Sequence, residues 1–376
     1  MSLAPIRVLL LSASLDIAGG VERFACALAN HLAGLGMDVA VGSVDTPAGA
    51  VRYPLQPAVR VLSAAPRRSA PPDSASRWGR RWQLFRAQWR TGRLLARLVR
   101  TQRPDVVVLN GLTTACSVLA FDRRFAARTI CCDHNHFAAR SQLWQRLRQW
   151  LYPRVAAVVS LTEADAPKFR ALNPRTEVIY NASPLRADAP ALPSGLVVLA
   201  VGRHVAQKGF DLLLRAWPTV LGAIPAARLR IVGEGPLRAE AQQLAAELGI
   251  ADSIEWPAAT PQIERHYREA AVFVLPSRYE GMPLTLLEAQ ALGVPAVAFD
   301  CPTGPAEILA ADTGVLVPPG DVAALAAGLV RVLGDPALRA RMAAAAIERS
   351  RRLFSPEAHL QRWTRLVQDV ARRTTA

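Results

Sequence analysis

Short apolar runs alternate with longer segments of helical period from one end of the chain to the other, and that alternation constrains the fold more than any other feature. In the first half "IRVLLLSAS", "MDVAVGSV", "DVVVLNG", "RTICCDH", "AAVVSL" and "EVIYN" read as buried strands; in the second, "LVVLAVGR", "ARLRIVGEG", "SIEW", "AVFVLPS", "PAVAFD" and "GVLVPPG" do the same. Runs apolar at successive positions are buried on both faces, as happens when helices cover both sides of a parallel sheet. A length of 376 residues exceeds the usual size of one core, so two domains are expected. The stretch 181–195, "NASPLRADAPALPSG", is rich in Pro, Ala and Ser and reads as the linker. The expectation is an α/β chain of two Rossmann-like, doubly wound parallel-sheet domains, residues 1–182 and 196–355, facing across a cleft. The last segment, 356–376, reads as a capped amphipathic helix crossing back to the first domain.

Charge divides the halves. Residues 1–190 hold 26 Lys and Arg against 12 Asp and Glu, a net of +14, whereas residues 191–376 hold 19 against 18, a net of +1. A basic half implies an anionic partner: nucleic acid, anionic lipid or a phosphorylated substrate. Aromatics and glycines are not arranged as a recognisable nucleic-acid-binding module, so no nucleic acid is expected. The apolar segment of "MSLAPIRVLLLSASLD" is cut by Asp16, unlike a signal peptide, and no run of about 18 uncharged apolar residues occurs. A cytoplasmic protein is expected. Cys26, Cys116, Cys131, Cys132 and Cys301 show neither zinc spacing nor a disulfide framework, and suit small buried positions in a reducing compartment.

Ligands of doubly wound sheets bind outside the carboxyl ends of the strands, so the strand-end residues carry the functional reading. In "SRYEGMPLTLLEAQALGVP", residues 277–295, Pro283 suits the first helical position and Gly293 with Pro295 the stop. Glu280 then falls in the entering loop and Glu288 in the second turn, with the free N–H groups of a helix start between them. That is an anion site flanked by carboxylates, which suits a phosphate bearing sugar hydroxyls on both sides. A plainer reading has Glu288 balancing the helix dipole and Glu280 capping a loop. In "GRHVAQKGFDLLLRAW", Arg203 and Lys208 precede a helix whose dipole disfavours positive charge; an anion held there explains both, and a solvated loop is the plainer reading. Gly19 and Gly20 open the first helix, and Gly233 and Gly235 end a strand of the second half, allowing close backbone approach or serving as plain turns. His134 and Asn135 end a buried strand, while His136 on the following loop is given a structural role.

Taken together and in order, "GGVER", "DHN", "GRHVAQKG" and "EGMPLTLLE" resemble the retaining glycosyltransferases of family 4 with the GT-B fold, and "FDCPTGPAEIL" resembles the subgroup acting on lipid-linked or lipopolysaccharide-type acceptors. The resemblance implies transfer of a sugar from a UDP- or GDP-sugar, with Glu288 on the ribose, Glu280 by the donor sugar, Arg203 and Lys208 on the diphosphate and His134 lining the reaction centre. It assigns nucleotide-sugar contacts to Gly19, Gly20, Gly202, Arg203, Lys208, Gly233, Gly281, Met282, Leu284, Thr285 and Glu288. Asp133 stands where the subgroup often has Glu, and "EGMPL" where the wider family often has "EGFGL". No Asp-x-Asp pair occurs, so no metal is expected and the two cations would replace one. Removing either cation is expected to impair turnover and spare folding. A GT-B-type sugar-nucleotide epimerase is the rival enzymatic reading.

One stretch of the basic half keeps helical spacing. Trp78, Trp82, Phe85 and Trp89 recur at steps of four, three and four, beside Arg86, Arg90, Arg93, Arg97 and Arg100. Packed aromatics with solvated arginines would produce that pattern, and so would a helix lying on an anionic membrane. With a lipid-linked acceptor implied, peripheral association with the inner face of the cytoplasmic membrane is expected.

Overall fold

The computed structural model describes residues 4–17, 19–65 and 77–375, with backbone alone for 77–85 and 375. The chain divides into two units, one formed by the residues up to Ile179 together with those from Leu360 onward, the other by Tyr180–His359.

Among the described residues, the first unit has a seven-stranded parallel sheet. Its strands are β1 (Arg7–Leu11), β2 (Asp38–Ser43), β3 (Arg60–Ser63), β4 (Val106–Asn110), β5 (Thr129–Cys132), β6 (Ala157–Ser160) and β7 (Thr176–Val178), in the order β3-β2-β1-β4-β5-β6-β7. Central strands β4 and β5 are buried at every position. Each expected strand of this half is present. The additional one, β3, is a half-exposed edge strand whose sequence "RVLS" lacks the continuous apolar run that marks its neighbours. Gly92, inside the helix Arg77–Gln102, lies where an added Cβ would come 2.5 Å from the Ser117 carbonyl, so a bare backbone lets this helix close onto the helix Leu112–Phe121. The side chains of Trp78, Trp82 and Phe85 lie outside the described residues.

The second unit repeats the plan with six parallel strands: β8 (Val197–Val201), β9 (Arg228–Val232), β10 (Ile254–Glu255), β11 (Val272–Leu275), β12 (Ala296–Phe299) and β13 (Gly314–Val317), in the order β10-β9-β8-β11-β12-β13. In both sheets the chain winds outward to one edge, returns to the middle and winds to the other. The reversal falls between β1 and β4 in one sheet and between β8 and β11 in the other, where Val8 pairs with Val106 and Val198 with Val272. Loops diverging at such a reversal leave a crevice above the strand ends.

The segment 181–195, read as a linker, packs within the second unit: Ala187 donates its N–H to the Ala291 carbonyl at 3.2 Å, and Asn181 donates to the Met282 carbonyl at 3.3 Å. Low hydrophobicity there reflects small side chains against a helix rather than freedom. In the helix Pro356–Thr375 the Ser355 hydroxyl accepts the Ala358 N–H at 3.3 Å. Trp363, Leu366, Val367 and Val370, at helical spacing, are buried, and Phe24 meets the Trp363 ring at 5.2 Å between centroids. All five cysteines are buried and free.

Candidate functional site

The loops after β8 and β11 carry most of the expected site of the second unit, and they are stitched together. Gly209 has φ +65°, and a Cβ on it would fall 1.9 Å from the Pro276 carbonyl oxygen, so the loop before the helix Phe210–Ala223 touches the loop after β11 backbone to backbone. Arg278 reinforces the contact: its N–H donates to the Gln207 carbonyl at 2.8 Å, and its guanidinium donates to both Asp211 carboxylate oxygens at 2.8 and 2.6 Å, holding that carboxyl below its usual range.

Within this junction Lys208 Nζ lies 2.7 Å from Glu280 Oε1. The Ser277 hydroxyl donates to the same oxygen at 2.7 Å, and the Gln207 amide reaches Oε2 at 3.5 Å. Glu280 is 6% exposed. Lys208 therefore has a carboxylate partner inside the protein, which supplies a structural reason for a cation at this helix start that the sequence reading lacked. Its aliphatic stem crosses Gly202, where a Cβ would meet the stem carbons at 3.2–3.3 Å, so the bare backbone lets the lysine lie close. Arg203 is exposed, and among the described residues no hydrogen bond or ion pair engages its guanidinium.

Pro283 is the N-cap, with φ −68° and ψ 108°, not the first helical residue; the helix runs Leu284–Ala291. The Pro283 carbonyl accepts the N–H groups of Leu286 and Leu287, and no side chain caps the start. The N–H groups of Leu284 and Thr285 head a helix whose positive end is thus available to an anion. Glu288 does fall in the second turn. It is buried, and Tyr267 donates its hydroxyl to Glu288 Oε2 at 2.8 Å, with the Thr285 carbonyl 3.0 Å from the same hydroxyl. Behind the helix start, Gly304 holds φ +95°, and a Cβ there would come 2.5 Å from the Gly281 carbonyl, so the loop after β12 presses on the Gly281–Met282 backbone. Cys301, buried in that loop beside Glu280, has its thiol pushed up to about 12, first by burial.

Gly233 and Gly235 adopt φ +147° and +153°, and added Cβ atoms would collide with the backbones of Gly202 and His204 at 2.0 and 2.6 Å. They serve the nesting of two loops. His204 is 1% exposed with neither ring nitrogen partnered among the described residues, packed 5.0 Å from Phe210 and 5.8 Å from Trp256, and burial lowers its pKa.

In the first unit, His134 follows β5 and its Nε2 lies 3.0 Å from Asn110 Oδ1 at the end of β4. The Asn110 amide donates in turn to the Ser12 hydroxyl after β1 at 3.4 Å. Three strand ends at the sheet reversal thus hold one imidazole, which also packs 4.9 Å from Phe24. Its neighbour Asp133 is buried, receiving the Tyr152 hydroxyl at 2.5 Å and Arg148 Nη1 at 3.2 Å; burial raises its carboxyl pKa and Arg148 opposes the rise. Gly19 is the N-cap of the helix Gly20–Gly34 with φ −136°, extended backbone that other residues adopt, and a Cβ there would meet only the end of the Glu22 side chain. The sequence reading missed Ser12, Asn110, Gln207, Tyr267 and Ser277. Ser277 sits three residues before Glu280 at a strand end and was findable; Tyr267, on the helix Ile263–Arg268, has no local signal.

Two doubly wound parallel sheets, with an ion-paired, helix-headed crevice at the reversal of the second, define the GT-B class. The family model for glycosyl transferases group 1 matches residues 185–349, and that for glycosyltransferase family 4 matches residues 18–186. The chain belongs to the family 4, group 1 glycosyltransferases. It is similar to the amylovoran biosynthesis glycosyltransferase AmsD of Erwinia amylovora, with 30% identity over 95% of this chain and 98% of the relative. The lipopolysaccharide core biosynthesis glycosyltransferase LpsD of Rhizobium meliloti is 29% identical over 90% of this chain and 92% of its own length. Among solved structures, sucrose-phosphate synthase from Thermosynechococcus elongatus superposes with a TM-score of 0.80 at 22% identity over 97% of this chain and 99% of the other. HepE of Anabaena, solved in complex with UDP and glucose, gives 0.75 at 19% identity over 96% and 99%.

Proposed function

We propose that the chain is a retaining, metal-independent hexosyltransferase that moves a sugar from a UDP- or GDP-sugar to a lipid-linked or polysaccharide acceptor of the cell envelope, working at the inner face of the cytoplasmic membrane. The observation that carries the reading is the junction after β8 and β11, where Lys208 and Glu280 meet at 2.7 Å next to the start of the Leu284–Ala291 helix. When the glycosidic bond to phosphate breaks, negative charge grows on the nucleoside diphosphate. Fixed cations and helix N–H groups stabilise that charge more in the transition state than in the ground state. Arg203 and Lys208 hold the diphosphate, Glu288 accepts from the ribose hydroxyls, and Glu280 accepts from the donor sugar. His134, held by Asn110, lines the reaction centre.

Glu280 is compensated by Lys208 and Ser277, which blunts it as a nucleophile. Same-face attack, with the leaving phosphate taking the acceptor proton, accounts for retention without a covalent intermediate. The relatives named for amylovoran and lipopolysaccharide core biosynthesis support an envelope saccharide acceptor, and the neighbour solved with UDP and glucose supports a uridine nucleotide donor. Arg86, Arg93, Arg97 and Arg100 are exposed on the helix Arg77–Gln102, as an anionic membrane partner would require; among the described residues no helix is long and apolar enough to cross a membrane.

A screen of UDP- and GDP-sugars, with and without saccharide acceptors and in excess chelator, tests the reading. Nucleoside diphosphate release that needs an acceptor and survives chelation, with an α-linked product from an α-linked donor, is expected. Conversion of a nucleotide sugar with no acceptor present would replace transfer by epimerisation.

A further inference from the structure

The helix Gln142–Leu151 has a face that the proposed catalytic site does not use. Arg148 and Leu151 are buried on its inner side, with Trp144 and Leu147 packed on the core. Its outer side carries Leu143, Arg146 and Trp150 at i, i+3 and i+7, leaving Leu143 61% and Trp150 46% exposed. Trp150 is flanked by cations: the Arg123 guanidinium lies 4.4 Å above its ring and that of Arg154 5.9 Å away, with Arg154 also donating to the Trp150 carbonyl at 2.5 Å.

The surface continues beyond this helix. Arg123 begins the turn after Asp122, and Phe121, the last residue of the helix Leu112–Phe121, stacks edge-on against Trp89 at 4.6 Å, itself 57% exposed. Exposed charge on the intervening segment has one sign. Residues 121–154 contain seven arginines and two acidic residues, Asp122 and Asp133. Both aspartates are buried and neutralised, Asp122 by Arg124 at 2.8 Å and Arg100 at 3.8 Å, Asp133 by Arg148.

We infer that Leu143, Trp150 and their arginines form the surface by which this unit docks on an anionic lipid bilayer. Charge alone would suit any polyanion. An exposed leucine two helical turns from a tryptophan, with an arginine between them, suits a bilayer, which offers an acyl boundary for the aliphatic side chain, a headgroup layer for the indole and phosphates for the guanidinium groups. Cation–π contacts with Arg123 and Arg154 place the guanidinium groups beside an indole that stays 46% exposed. The inference deepens the membrane element of the proposed function, and adds a second anchoring helix to the arginine stripe of Arg86–Arg100.

The test uses the full chain and vesicles of equimolar phosphatidylglycerol and phosphatidylcholine, with sedimentation as readout. The wild type pellets at low salt and is released at high salt or when phosphatidylcholine is used alone. Leu143→Ser with Trp150→Ser is expected to weaken partitioning by about tenfold or more, from two lost apolar anchors. Arg123→Gln, Arg146→Gln and Arg154→Gln together are expected to weaken it roughly a hundredfold, at about fivefold per basic residue. Both variants should keep the wild-type melting temperature and wild-type turnover of a nucleotide sugar with a water-soluble acceptor. Full vesicle binding by both variants overturns the inference, as does stronger binding to random duplex DNA than to the vesicles. Absence of turnover in a wild type that binds vesicles through these residues would overturn the enzymatic reading alone.

Discussion

Lys208→Met isolates the ion pair with Glu280. The substitution keeps the aliphatic stem over Gly202 and removes the ammonium, leaving a carboxylate that is 6% exposed with the Ser277 hydroxyl and the Gln207 amide as its remaining donors. Removing one member of a buried pair costs about 3–5 kcal/mol, because the other charge stays desolvated. The Lys208 side chain is 16% exposed, so water reaches the site and the low end, about 3 kcal/mol, applies. For a unit of this size each kcal/mol moves the midpoint by roughly 2–4 °C, so the unit should melt about 6–12 °C lower. Adding Glu280→Gln removes the stranded charge and should restore most of the loss, leaving the double variant destabilised by far less than the sum of the two single variants. Thermal and guanidinium unfolding of the wild type, both single variants and the double variant measures this. Stability of Lys208→Met within about 0.5 kcal/mol of the wild type would refute the reasoning, and would return to the sequence-based expectation that folding is indifferent to this lysine. Turnover should fall about a hundredfold in Lys208→Met and stay low in the double variant, since lost stabilisation of the leaving diphosphate is not repaired.

Tyr267→Phe removes the hydroxyl donated to Glu288 and should weaken nucleoside diphosphate binding by about five- to thirtyfold in calorimetric titration, from roughly 1–2 kcal/mol of lost carboxylate positioning; unchanged affinity would detach Glu288 from the ribose. Gly209→Ala places a Cβ 1.9 Å from a carbonyl oxygen at φ +65°, and should yield little soluble protein, whereas Gly34→Ala, with open space around it, should be neutral in expression and melting. The His204 pKa is lowered by burial, first, and by Arg238, so the unfolded chain binds the proton more readily than the native one. Stability is then complete above the unfolded value of about 6.5 and declines as pH falls through the lowered native one; His204→Phe should flatten that decline in melting temperature below about pH 6.5. An equally steep decline in the variant would assign it to other groups.

Alternating apolar runs determined both sheets, since a strand covered on both faces leaves a mark in every residue it contains. The same signal passed over β3, an edge strand whose two apolar residues lie between Arg60 and Ser63. Lys208, Glu280, Glu288 and His134 were legible as strand-end or helix-start residues, because residue type and local position were enough to mark them. Their partners were not. Lys208 meets Glu280 across 72 residues, Tyr267 meets Glu288 across 21, and His134 meets Asn110 across 24. The first and third pairings exist because parallel strands adjacent in the sheet end at one level and bring distant loops together; the second joins the helices before and after β11. Local periodicity carries the direction a side chain leaves its own element; which loop waits there is decided by strand order and by glycines that let backbones touch. Lys208 shows the consequence: read along the chain it is a surplus cation awaiting a ligand, and in the folded unit it is half of an ion pair with Glu280.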